Sequence, residues 1–200
     1  MNEMLVSLAM SAIGYLYKQR DEILTRGKKA LTWWNRPRDI PLLKVSGLIF
    51  SEKSGKTSLT NALKDSKKVC FVDVDDYADK MKTQSDSVEL AELELTKTIR
   101  ELVAVKKKTF KHVVLISTDY TRLKSCGAWR CYLCYPSPRF VKNLQNSTLS
   151  EDIKKAFQIS HSILSFSVGK YDKLKRVFLY DDVAQIEQII RQVYEVPKTN

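Results

Sequence analysis

The segment "LLKVSGLIFSEKSGKTSLTNAL" (residues 42–63) decides the fold prediction for this chain. Its first part, residues 42–50, is a short apolar run with a β-branched residue and a glycine, which is typical of a buried strand. The second part, "SGKTSLTNAL", has the character of a helix start. A loop between the end of a strand and the start of a helix brings helix N-terminal amides to one point, where they can bind an anion. The segment therefore predicts a strand–loop–helix unit built to bind phosphate.

The rest of the chain alternates between runs suited to strands and runs suited to helices. Apolar runs that predict further strands lie at residues 67–77, 111–118, 162–168 and 175–182, and helical spacing predicts helices at 87–105, 150–160 and 183–196. Near-continuous apolar strands separated by helices favour an α/β fold, with a mainly parallel sheet covered by helices on both faces. We place this domain at residues 41–200.

The loop residues match most of the phosphate-binding pattern G-x-x-x-x-G-K-[ST], although Phe50 stands in place of the first glycine. Gly55 permits a backbone turn that a side chain would hinder. The ammonium of Lys56 would reach the β- and γ-phosphates, and the hydroxyl of Thr57 would bind Mg²⁺. The candidate nucleotide-binding residues are Ser51, Ser54, Gly55, Lys56, Thr57 and Ser58, and Lys56 is also a candidate catalytic residue. The alternative is a degenerate loop that keeps the fold and binds nothing.

This arrangement resembles the P-loop NTPases with a degenerate Walker A loop. The stretch "VCFVDVDDYADK" (69–80) narrows the resemblance to the small nucleoside, nucleotide and shikimate kinases. In that group a strand ends in acids that face the phosphate acceptor and the metal. The resemblance implies ATP and Mg²⁺ as cofactors, and Asp73 with Asp75 (or Asp76) as catalytic residues. The alternative is a solvated strand end in which an aspartate caps the next helix.

A second stretch, "HVVLISTD" (112–119), is similar to the Walker B strand of the same kinases. An apolar strand that ends in an aspartate would present its carboxylate to the metal bound at the phosphates. The resemblance therefore implies Asp119, together with Thr57, in the Mg²⁺ shell.

The segment 120–149 falls where these kinases carry a lid, and we predict a lid-like insertion there. Lid arginines in the family close over the transferring phosphoryl group and stabilise its charge. Arg122, Arg130 and Arg139 are the candidates. The sequence does not choose between them, and Arg130 stands as the candidate catalytic arginine.

The same segment contains Cys126, Cys131 and Cys134, spaced C-x4-C-x2-C. Two thiolates separated by two residues can reach one tetrahedral zinc ion. A fourth ligand would have to come from Cys70, His112 or His161. The alternatives are a structural zinc site and free or buried thiols.

The N-terminal 40 residues differ in character from the rest, and we predict a helical arm at 1–40. Its apolar residues in 3–34 favour docking to a protein assembly or a membrane surface. No basic region precedes the apolar run, which argues against a secretory signal. Four cysteines without a disulfide pattern indicate a reducing compartment, most simply the cytoplasm. The net charge of +11 favours polyanionic partners, including nucleotides and nucleic acid.

Two functions follow from these observations. The first is an ATP-binding kinase that transfers a phosphoryl group to a small nucleoside- or nucleotide-like acceptor. The second is a catalytically retired P-loop module that acts as a structural or interaction subunit, with contacts to nucleic acid or membrane. The intact Lys56-Thr57 pair and the acids favour the first, whereas Phe50 favours the second.

Overall fold

The computed structural model describes residues 44–83, 87–173 and 176–196, and these ranges hold five strands and seven helices. The strands are β1 (Val45–Ile49), β2 (Val69–Asp73), β3 (His112–Ser117), β4 (Arg130–Pro136) and β5 (Val177–Tyr180). The helices are α1 (Lys56–Leu63), α2 (Val74–Lys82), α3 (Val88–Thr109), α4 (Tyr120–Ser125), α5 (Pro138–Gln145), α6 (Glu151–Lys173) and α7 (Val183–Val193).

The five strands form one parallel sheet with the order β2-β3-β1-β4-β5. The central strand is β1, in which Ser46 lies opposite Val114 of β3 and Arg130 of β4. This order differs from the 3-2-1-4-5 and 2-1-3-4-5 orders of the common dinucleotide- and flavin-binding sheets. Because the strands are parallel, all their carboxyl ends meet at one edge, and the loops that follow β1, β2 and β3 converge there.

Helices cover both faces of the sheet, which confirms the predicted α/β fold. Alternate residues of β1 point to opposite faces. On one face, Gly47 lies against Leu123 and Ala128, in a core that also takes in α2, α3 and α6. On the other face, the hydroxyl of Ser46 lies 2.6 Å from that of Tyr194, next to α7, which packs against α1.

The strand predicted at residues 162–168 is wrong, because these residues belong to the long helix α6. The apolar residues Leu164, Phe166 and Val168 alternate with serine and mimic a strand of period two. The buried positions are Leu164, Val168 and Tyr171, whose spacing of four and three is helical, and Phe166 is exposed. Tertiary packing therefore selected the helical face.

The middle part of the segment 120–149, where a lid-like insertion is predicted, is a strand of the sheet. Residues 130–136 form β4, which pairs with β1 on one side and β5 on the other. Leu133 and Cys134 in this strand are fully buried. Because a core strand cannot move without breaking the sheet, this part of the segment cannot close over a ligand.

The helical arm predicted at residues 1–40 lies outside the described residues, and so does the start of the first predicted strand. Among the helices of the described ranges, none combines the length and the apolar character that a bilayer crossing requires. Docking of residues 3–34 to a protein or a membrane surface stays a prediction.

Candidate functional site

The loop after β1 is held by contacts that begin at Phe50, the residue in place of the first glycine of the phosphate-binding pattern. Phe50 is fully buried, donates its backbone N–H to the carbonyl of Ser117 at 3.1 Å, and packs its ring beside that of Tyr180. Ser54 donates its hydroxyl to the carbonyl of Ser51 at 2.6 Å, and Tyr180 donates to the carbonyl of Ser54 at 3.0 Å. The bond from Phe50 continues the pairing of β1 with β3 by one residue, and the bonds at Ser54 hold the loop against the core.

Gly55 closes the loop in a conformation that other residues rarely adopt. Its φ is 100°, in the left-handed region. A Cβ atom built on Gly55 would lie 2.6 Å from Cγ2 of Val183, at the start of α7. Glycine is therefore required here both by the backbone angle and by the close approach of a neighbouring helix.

The helix α1 begins directly at the loop and leaves its first amides unused by side chains. The N-cap residue is Gly55, and no side chain caps this helix. The N–H groups of Lys56, Thr57 and Ser58 lie in the first turn, where a helix supplies them with no backbone acceptor. These amides and the positive end of the helix form a site suited to an anion.

Lys56 lies beside two carboxylates that follow β2. Its Nζ donates to Oδ2 of Asp75 at 2.6 Å and to Oδ1 of Asp73 at 3.0 Å, and its side chain is only 15% exposed. Burial acts against the positive charge, but the hydrogen bonds and charges of Asp75 and Asp73 outweigh it and raise the pKa of Lys56. The side chain is therefore a fixed cation at the edge of the loop.

Asp75 is the centre of the polar cluster. Besides Lys56, it accepts from the hydroxyl of Ser117 at 2.5 Å, the backbone N–H of Thr118 at 2.8 Å and Nη1 of Arg122 at 3.1 Å. Burial alone would raise the pKa of Asp75, but these hydrogen bonds and the charge of Lys56 lower it. Asp75 is thus an ionised carboxylate with both oxygens engaged.

Asp73 has a different environment from its neighbour. It caps α2 by accepting the N–H of Asp75 on Oδ1, and it is 7% exposed. Burial raises the pKa of Asp73, although Lys56 opposes the shift. Among the described residues its second oxygen, Oδ2, is buried without a hydrogen-bond partner. Asp73 therefore has an acceptor atom to spare, and Asp75 does not.

The sequence reasoning did not find Glu92, and it did not choose Arg122 over the other arginines. Arg122 donates from Nε and Nη2 to the two carboxylate oxygens of Glu92, at 3.3 and 2.5 Å, in addition to its bond with Asp75. Glu92 lies in α3, thirty residues before Arg122 in the chain. A glutamate on an amphipathic helix gives no sequence signal for such a contact.

An open cleft of about 790 Å³ lies at this edge of the sheet. Of the predicted site residues, Gly55, Lys56, Thr57, Ser58, Asp75 and Asp119 line it. Ser51, Ser54 and Asp73 are buried beneath the lining and support it. The volume is within the range of sites that bind small molecules.

The structure places Arg130, the candidate catalytic arginine, away from the cleft. Arg130 begins β4, opposite Ser46 near the start of β1, whereas the loop follows the end of β1. It therefore lies at the opposite edge of the sheet from Lys56. Arg139 is exposed on α5 and does not line the cleft. The arginine that does line the cleft is Arg122.

Cys126, Cys131 and Cys134, for which the sequence left zinc ligands and buried thiols as alternatives, are not arranged as one cluster in the structure. Cys131 and Cys134 are three residues apart on β4, so their side chains point to opposite faces of the sheet. All are buried free thiols, and burial raises the pKa of Cys126 and of Cys131 to about 11.

The oxygens around the cleft fit a magnesium ion held mainly by phosphate. In the described ranges no three His, Cys, Asp or Glu side chains are placed to hold a metal without further ligands. Mg²⁺ is commonly held by one or two carboxylates together with substrate phosphates. Thr57 and Asp119 both line the cleft, and Oδ1 of Asp119 caps α4 by accepting the N–H groups of Thr121 and Arg122.

No protein-family model matches this chain, and a search of curated proteins finds no match to its sequence. The five-stranded parallel fold is compatible with a P-loop-like protein.

Proposed function

We propose that the protein is a P-loop-type nucleotide-binding protein that holds ATP and Mg²⁺ at residues 51–58. The observation that carries this proposal is the uncapped start of α1 behind Gly55, with Lys56 beside it and acids opposite. The amides of the first turn would bind a phosphate group, and Lys56 would move from Asp75 to the β- and γ-phosphates. Mg²⁺ bound to the phosphates and to Thr57 would draw charge away from the transferring group.

The reaction that suits this site is phosphoryl transfer to a small hydroxyl acceptor. The acceptor oxygen would form a bond to the γ-phosphorus while the bond to the β–γ bridging oxygen breaks and ADP leaves. The hydroxyl proton needs a carboxylate to receive it. Asp75 lines the cleft but has both oxygens engaged, whereas the spare Oδ2 of Asp73 is buried beneath the lining. The movement of Lys56 to the phosphates, which frees an acceptor position on Asp75, would therefore have to come before the proton transfer.

The charges around Lys56 predict a strong magnesium dependence. Lys56 and Arg122 carry two positive charges, and the carboxylates in contact with them, Asp73, Asp75 and Glu92, carry three negative ones. A polyphosphate would enter a cluster with one negative charge in excess, so a divalent cation has to enter with it.

We expect ATP affinity to fall at least about tenfold when Mg²⁺ is replaced by EDTA, which corresponds to about 1.4 kcal/mol. Isothermal titration calorimetry of ATP into the protein, once in a buffer with excess Mg²⁺ and once in a buffer with EDTA, measures this difference. Inorganic tripolyphosphate, titrated in the same two buffers, separates the phosphate contribution from that of the nucleoside. Equal affinity in both buffers would count against a shared metal site.

The retired-module alternative has a specific observation in its favour. Lys56 is already paired with two carboxylates, and the N–H of Glu52, within the loop, donates to the hydroxyl of Ser160 at 2.9 Å. A loop engaged by its own neighbours could serve structure alone. Under this alternative, the protein binds neither ATP nor tripolyphosphate in either buffer, and its basic surface or residues 3–34 carry the interaction.

A further inference from the structure

Arg122 lies in the cleft as a second fixed cation. It is in the first turn of α4, directly after the carboxyl end of β3, and its side chain is 14% exposed. Lys56 contacts Oδ2 of Asp75 and Arg122 contacts Oδ1 of the same carboxylate. The two cations therefore stand on either side of one acid, at the wall that a phosphate chain on α1 would face.

Glu92 fixes the direction of the Arg122 guanidinium. Its carboxylate accepts hydrogen bonds from Nε at 3.3 Å and from Nη2 at 2.5 Å, so the contact is bidentate along one edge of the guanidinium. Together with the bond to Asp75, this uses three of the five N–H groups that an arginine carries. One N–H on each terminal nitrogen is left for a ligand, and the planar fork suits phosphate oxygens.

We propose that Glu92 is a positioning residue, which holds Arg122 so that it contacts the phosphate chain of a ligand bound at Lys56 and Thr57. This inference rests on the proposed function, since it needs a phosphate chain in the cleft. Asp75 alone would hold Arg122 by one bond and would leave the side chain free to rotate about it. Glu92 removes that freedom before the ligand arrives, which lowers the entropy lost on binding.

The sign of the effect distinguishes positioning from simple charge. If Glu92 acted only through its negative charge, its removal would strengthen the binding of an anion. If it positions Arg122, its removal weakens that binding. Glu92→Gln keeps an acceptor for one of the two Arg122 bonds and loses the charge, so it falls between wild type and Glu92→Ala only under the positioning role.

The test is a double-mutant cycle read by titration of tripolyphosphate with Mg²⁺ into the full chain. We expect Glu92→Ala to weaken binding about three- to tenfold, and Glu92→Gln to weaken it less. In an Arg122→Ala background, Glu92→Ala is expected to have no further effect, since it acts through that arginine. Glu94→Ala, an exposed glutamate on the same helix, is the matched control and should bind as wild type does.

The outcomes separate this inference from the function it rests on. Binding by wild type, with a Glu92→Ala effect that persists unchanged in the Arg122→Ala background, overturns the positioning role and leaves the phosphate site standing. Tighter binding by Glu92→Ala does the same. No binding by wild type overturns both. Thermal melts of each variant show whether a loss of affinity merely reflects loss of folded protein.

Discussion

Lys56→Met is expected to weaken the binding of ATP and Mg²⁺ by about 10- to 100-fold, the equivalent of one charged hydrogen bond. Methionine keeps the length of the side chain and removes the charge that the phosphates would meet. The same change is expected to lower the free energy of unfolding by about 1–3 kcal/mol, because Lys56 also neutralises Asp73, which is 7% exposed.

The matched control is Lys53→Met. Lys53 also lines the cleft, but it is exposed and lies within the loop. Its removal should change ATP affinity less than about threefold, as for a screened surface charge. Titration calorimetry on samples checked for folding by circular dichroism gives both numbers. If folded Lys56→Met binds ATP as tightly as wild type, the loop is not the binding site.

Asp75→Asn is expected to have the largest effect on stability. At pH 7 we expect the free energy of unfolding to fall by about 2–4 kcal/mol, because an amide turns N–H donors toward groups that themselves donate. Those donors are Lys56, Ser117, the N–H of Thr118 and Arg122. For a protein of this size the melting temperature should drop by about 5–15 °C.

The pKa of Asp75 gives this effect a pH dependence. Its value in the folded protein is lower than the usual 3.8, so the unfolded chain takes up a proton first as the pH falls. The stability that the ionised carboxylate contributes is present above pH 4 and is lost as the pH falls through the folded-state pKa. Wild type should therefore approach Asp75→Asn in stability toward pH 3.

Urea unfolding at pH 7, at about pH 4 and at about pH 2.5 measures this convergence, since the loss begins only below the unfolded-state pKa of 3.8. Asp79→Asn serves as the control, because Asp79 lies one turn further along α2 with its side chain 77% exposed. It should unfold as wild type does at all three pH values. A constant difference between wild type and Asp75→Asn across the range would show that the charge of Asp75 is not what stabilises the cluster.

The sequence predicts those strands and helices in which the apolar residues follow a clear pattern, either a helical spacing or a continuous buried run. The strand before the loop, the helix after it, the β3 strand and α3 all lie within a few residues of their predicted places. In β3 every position of His112–Ser117 is buried. In α3 the buried residues Ala91, Leu95, Ile99 and Val103 follow a helical spacing, although Val88, Leu90, Leu93 and Val105 are exposed. The order of strands in the sheet did not follow from any local pattern.

The errors have a common cause in tertiary packing. Residues 162–168 carry alternating apolar residues, yet only Leu164 and Val168 face the core. Residues 130–136 contain arginine and cysteine residues that suit a lid or a metal site, but the apolar content of "CYLCY" is also typical of a buried strand, which is what it forms. Each of these two segments is compatible with two structures, and packing against neighbouring elements decides which one forms.

The site was predicted where its residues are close in the chain, and missed where they are not. The loop and Asp73 with Asp75 follow β1 and β2, which are consecutive in the chain although β3 lies between them in the sheet, and the fold brings them within hydrogen-bond distance. Arg122 meets Asp75 from 47 residues away, and Glu92 meets Arg122 from 30. Such contacts depend on the packing of α3 and α4 against β3, which no spacing in the sequence encodes.

The most direct test of the nucleotide-binding proposal is a titration of ¹⁵N-labelled full-length protein with ATP and Mg²⁺, followed by amide chemical shifts. The account predicts saturable shifts that are largest at Gly55, Lys56 and Thr57, because the phosphates would bind the amides of this turn directly. Smaller shifts are expected at Thr118 and Arg122, across the cleft. An absence of shifts at saturating ATP, or shifts confined to residues far from the loop, such as those of α5, would contradict it.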